Sequence, residues 1–88
     1  MEREHAAFVC CHVFDVSRPI LLVAHEENGD WQFLCGGPHG HGDKPRVVGM
    51  NHLINRDASL VAVLKMEEGW EAERPHGEAP WEIHRIED

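Results

Sequence analysis

Apolar and polar positions change period several times along this chain, and the changes mark out its elements. Residues 8–14 (FVCCHVF) combine β-branched and aromatic side chains and predict a first strand. Asp15-Val16-Ser17-Arg18-Pro19 holds turn formers. Residues 20–25 (ILLVAH) form a second strand, whose nearly unbroken apolar run predicts a central, doubly buried position. Asn28-Gly29 is a strong hairpin signal, because both residues accept the positive φ of a tight turn, and residues 31–35 (WQFLC) supply the third strand. A two-residue loop there sets Glu27 against Asp30, Glu26 against Trp31, His25 against Gln32, Ala24 against Phe33 and Leu22 against Cys35. The like-charged pair beside the turn is unfavourable and leaves a longer loop open.

Residues 36–45 (GGPHGHGDKP) break the pattern with four Gly, two Pro and two His. Met50, Leu53 and Ile54 then recur at helical spacing within residues 47–56, and Asp57 either ends that helix or caps the next. Residues 57–64 read as a second helix with Leu60, Val61 and Leu64 on one side, a strand being the alternative. Two W-E-x-x-R runs, at 70–74 and 81–85, alternate apolar and charged residues and predict a hairpin across residues 75–80. Its inward side carries Trp70, Ala72, Trp81 and Ile83, and Arg74 continues the Trp70/Ala72 side. The expected fold is α+β: a small antiparallel sheet, built from a three-strand N-terminal meander and a C-terminal hairpin, with one or two short helices. Residues 1–88 are expected to make a single domain.

Composition narrows the function classes. Eight Lys plus Arg against 16 Asp plus Glu give a formal charge of −8, and the basic residues are scattered. Nucleic-acid binding needs clustered positive charge, so it is set aside. Residues 65–88 carry eight acids and three bases, a solvated face or a docking surface for a basic partner. The longest apolar run is far short of a membrane span, and no signal peptide is seen, so a cytoplasmic protein with reduced thiols is expected.

The Gly-rich segment suggests metal chemistry. His39, His41 and Asp43, with Cys35 beside them, are ligand types for a zinc-type ion, and residues two apart in an extended loop point the same way. A mobile polar loop is the alternative. Cys10 and His12 share a face, but a meander with its second strand in the middle keeps Cys10 about 9–10 Å from Cys35. That order disfavours shared ligation and a disulfide between them. Lys44-Pro45 without a following Ser or Thr excludes a phosphate loop, and neither Ser17 nor Ser59 sits in a nucleophile-elbow context. No catalytic set is assigned. The paired acids read as surface charge, and Trp31, Trp70 and Trp81 as core more than as a ligand site.

The run Gly29-Asp30-Trp31-Gln32-Phe33-Leu34-Cys35-Gly36-Gly37, followed by the His39–Asp43 loop, Val47-Val48-Gly49 with His52-Leu53, and Gly69-Trp70-Glu71-Ala72-Glu73-Arg74, resembles a group of small, uncharacterised bacterial proteins. A shorter stretch is similar to the Imm33-like immunity family, with Cys35-Gly36-Gly37 where that family has Ser-Gly-Asp-Glu. That similarity implies an α+β fold and a protein-binding role. The expectation is a non-enzymatic domain that binds an unidentified protein partner, with a homodimer as one way to cover a bare sheet face. The alternative is a zinc-type metal-binding protein using the Gly/His loop.

Overall fold

A computed structural model describes residues 7–37 and 45–86. Strands β1 (Ala7–Val9), β2 (Leu22–His25), β3 (Trp31–Leu34), β4 (Arg46–Val48), β5 (Trp70–Glu73) and β6 (Glu82–Arg85) join in one sheet of order β4-β1-β3-β2-β5-β6. Helices α1 (Cys11–Phe14) and α2 (Met50–Arg56) and a 3-10 turn at Ala58–Ala62 complete the fold. The class is α+β, as expected, but the sheet is mixed.

The strand order corrects the meander. β3, not β2, lies beside β1, and the two run parallel, with Ala7 opposite Trp31 and Val9 opposite Phe33. Residues 10–21 lead from β1 to β2, which runs antiparallel to β1 one position further along the sheet, and β3 returns between the two. The predicted strand at 8–14 therefore stops at Val9, and Cys11–Phe14 winds into one helical turn, closed by Phe14 N–H to the Cys10 carbonyl at 2.9 Å. The turn buries Val13 in the core, a tertiary gain that overrides the strand preference of the FVCCHVF composition. β2 is indeed interior, between β3 and β5.

The β2–β3 hairpin is displaced by one residue from the two-residue reading. His25 faces Trp31, Val23 faces Phe33 and Leu22 faces Leu34. Glu26 N–H bonds to the Asp30 carbonyl at 2.8 Å, leaving three residues in the loop, with Gly29 at φ 95°. The shift separates Glu27 from Asp30 and aligns Val23 with Phe33 on the buried face.

Val9, Phe33, Val23 and Ala72 form a buried row across four strands. Val13, Leu53, Leu60 and Val63 cover it from α1, α2, the 3-10 turn and the residue after it. Helix α2 begins later than its apolar spacing suggested, because 46–48 extend as β4 against β1. Asp57 fills both expected roles, ending α2 and capping the 3-10 turn by accepting the Ser59 N–H at 3.0 Å. The 70–85 hairpin forms as predicted, with Trp70 opposite Arg85 and Ala72 opposite Ile83. Its inward side is only partly covered: Ala72 is buried, but Ile83, on the edge strand β6, is 49% exposed.

After α1 the chain reverses at Val16, whose φ of 61° is left-handed. A β-branched residue is strained there. Val16 is also 67% exposed, so packing offers little in return. Val16→Gly is expected to stabilise the protein by about 1 kcal/mol, the left-handed penalty relieved less the added chain entropy of glycine. A urea melt checks this, and a destabilised variant would refute it.

Candidate metal centre

Parallel pairing brings the ends of β1 and β3 side by side. Cys10 follows β1 directly, and Cys35 follows β3 directly. Helix α1 starts without a spacer after Cys10, and its first turn carries His12 back toward the same place. The ligand atoms of Cys10, His12 and Cys35 all lie within 4.8 Å of one another, with both cysteines buried and His12 half-buried. His12 Nδ1 and Cys35 Sγ are 3.5 Å apart.

The surrounding chain holds this trio from two sides. The His12 carbonyl accepts the Ser17 N–H at 3.0 Å and the Arg18 N–H at 3.3 Å, which bends residues 15–18 back over α1. Arg18 then places Nη1 3.4 Å from His12 Nδ1 and 3.7 Å from Cys35 Sγ. The Gly37 N–H donates to Cys35 Sγ at 3.5 Å. A Cβ at Gly37 would lie 2.9 Å from Arg18 Nη1, so a larger residue there would displace the tip of the guanidinium.

Burial by itself would push the Cys35 thiol up. The Gly37 N–H, the Arg18 guanidinium and a hydrogen bond from Cys10 outweigh it and bring Cys35 below the ordinary thiol value. One of the two converging sulfurs is thus shifted toward the thiolate form that ligates metal.

Comparison with protein-family models, with curated proteins and with solved structures gives no match. The chemistry of the cluster therefore rests on its own geometry.

Of the four ligands predicted from sequence, Cys35 is the one among the described residues, and it belongs to this cluster. His39, His41 and Asp43 lie outside the described residues. His25 sits at the other end of the β2–β3 pair: it stacks on Trp31 at 3.8 Å, and its Nδ1 is 3.0 Å from the Met66 carbonyl. The separation expected between Cys10 and Cys35 is overturned, because it assumed β2 between them. The sharing of one side by Cys10 and His12 holds, though through a helical turn and not through strand alternation.

Proposed function

We propose that the protein binds one zinc-type divalent ion through Cys10 Sγ, Cys35 Sγ and His12 Nδ1. The observation that carries this reading is the convergence of two sulfurs and an imidazole nitrogen within 4.8 Å of one another. Zinc–sulfur bonds near 2.3 Å and zinc–nitrogen bonds near 2.05 Å place tetrahedral S and N donors about 3.5–3.6 Å apart. The His12–Cys35 separation is 3.5 Å. Two thiolates and one neutral imidazole also balance a divalent charge inside a buried site, and soft sulfur donors select zinc over magnesium or calcium. The fourth coordination position is left to a donor beyond these three.

Arg18 has a defined part in this reading. Before the ion arrives, its guanidinium supplies the positive charge that the sulfurs and the imidazole face. Binding replaces that contact with the ion. The ion would tie β1, α1 and β3 together, a useful staple in a domain whose core is small.

Elemental analysis of protein purified without chelator or affinity tag, followed by zinc titration against a chromophoric chelator under reducing conditions, tests the assignment. One equivalent is expected, lost in Cys10→Ser and Cys35→Ser and kept in a His39→Ala/His41→Ala double variant. Uptake that survives loss of the cysteines but not of the two loop histidines would place the ion elsewhere and overturn the site. Absence of uptake by the wild type would overturn the function.

A further inference from the structure

A second constellation lies on the other side of Arg18. A cleft of about 340 Å³ opens between residues 16–20 and residues 56–57, closed below by Arg74. Arg56 and Arg74 line it against one carboxylate, Asp57, together with Arg18, whose guanidinium is turned to His12 and Cys35. That local excess of positive charge stands out in a chain of net −8.

The carboxylate is already engaged. Asp57 Oδ2 accepts from Arg74 at 2.6 Å, and its Oδ1 accepts from the Ser59 hydroxyl at 2.6 Å and the Ser59 N–H at 3.0 Å. Arg74 is engaged as well, donating to the Ile20 carbonyl through Nε and Nη2 and to Ser59 Oγ through Nη1. Arg56 differs. It donates through Nη1 to the Val13 carbonyl and through Nη2 to the Arg18 carbonyl, and among the described residues no carboxylate lies within ion-pair distance of it. A guanidinium carries five N–H donors, so those two carbonyls fix its position while leaving donors for a ligand. Carbonyl acceptors leave the charge of this half-buried cation uncompensated among the described residues, and an anion in the cleft would meet it. The strained Val16 and Pro19 form an apolar rim beside it.

We propose that this cleft is a binding site for a small oxyanion, a carboxylate or a phosphate, gripped by Arg56. The two carbonyl contacts preorganise a planar fork of the kind that reads such groups through paired, charge-assisted hydrogen bonds. The site is independent of the metal assignment, since neither Arg56 nor Asp57 is a ligand of the ion.

Amide and arginine Nε signals of the full-length labelled protein provide the test. Inorganic phosphate and acetate are added in separate titrations, each at ionic strength matched with sodium chloride. Saturable shifts are expected at residues 16–18, 56, 57 and 77 and at Arg56 Nε for at least one of the two anions, and which of them saturates tells phosphate from carboxylate recognition. Arg56→Gln is expected to weaken that binding about tenfold or more, the equivalent of one charge-assisted bond. Non-saturating shifts equal to those of chloride for both anions would overturn the proposal, as would unchanged affinity in Arg56→Gln. Should that variant not fold, the wild-type Arg56 Nε signal decides: no anion-dependent shift there refutes the site.

Discussion

Arg74→Met is expected to cost about 3 kcal/mol of stability, the lower end of what breaking a buried ion pair costs. Arg74 is the buried charged residue among those described, its side chain 2% exposed, and it ends on Asp57 at 2.6 Å. Its guanidinium also satisfies the Ile20 carbonyl twice and lies over the Trp81 ring, 4.1 Å from the centroid. Methionine matches the length but supplies none of these donors. The Ile20 carbonyl then loses both of its Arg74 donors, which is the larger part of the cost. Asp57, 23% exposed, recovers some hydration, which keeps the loss toward the low end. For a domain of this size that is a drop in melting temperature of roughly 10–20 °C. A loss below about 1 kcal/mol in a urea melt would show that the network is peripheral, within the ordinary effect of a surface substitution.

Asp57 gives the same network a pH dependence. Burial alone would raise its carboxyl, but the Ser59 hydroxyl, Arg74 and the Ser59 N–H together hold it below the ordinary carboxylate value of 3.8. A carboxyl depressed in the folded state contributes stability that is present above its unfolded value and lost as pH falls through its folded value. The wild type is therefore expected to lose this contribution progressively below about pH 4. Asp57→Asn should be less stable at pH 7, and the gap should narrow in acid. A gap that stays constant from pH 7 to pH 2 would rule out the charged pair as its source.

Arg74 also shows what kind of information the sequence holds. Alternation along Trp70-Glu71-Ala72-Glu73-Arg74 places the arginine on the inward side, and it is buried there. Its carboxylate partner comes from seventeen residues upstream and is not readable from local pattern. The same division runs through the fold. The β5–β6 hairpin is local, and its pairing follows from the two W-E runs. The β2–β3 hairpin is local too, but its register depends on loop geometry, and the choice of three loop residues over two moves every pair by one.

The parallel pairing of β1 with β3 was the costliest thing to miss. Composition made residues 8–14 a strand, and a strand that long leads naturally into a meander. Only the burial of Val13 and the run of residues 10–21 to a non-adjacent strand, both tertiary facts, select a helical turn in its place. With the meander assumed, Cys10 and Cys35 fell on outer strands. With β3 beside β1, the two become neighbours, and His12 arrives with them. A usable signal is present: the turn formers at 15–19 span five residues with no Asn-Gly-type pair, which fits a longer connection that skips a strand position.

Zinc is expected to raise the melting temperature of the wild type by about 10 °C or more when free metal reaches a hundred times its dissociation constant, an increment of about 2.7 kcal/mol in a domain of this size. The increment should vanish in Cys35→Ser and in His12→Ala. It should persist in Cys11→Ser, since Cys11 is not one of the three converging donors. Protons compete with the ion for both sulfurs, because the thiolates are the ligands. The stabilisation should therefore grow between pH 6 and pH 8 and shrink toward pH 6. The depressed Cys35 thiol lowers the proton's hold on one sulfur and moves the onset of binding to lower pH than two ordinary thiols would allow. A melting temperature that rises equally in wild type and Cys35→Ser would trace the effect to surface histidines and carboxylates. A rise that is independent of pH from 6 to 8 would count against ligation by two thiolates, because zinc must displace the proton of an ordinary thiol in that range.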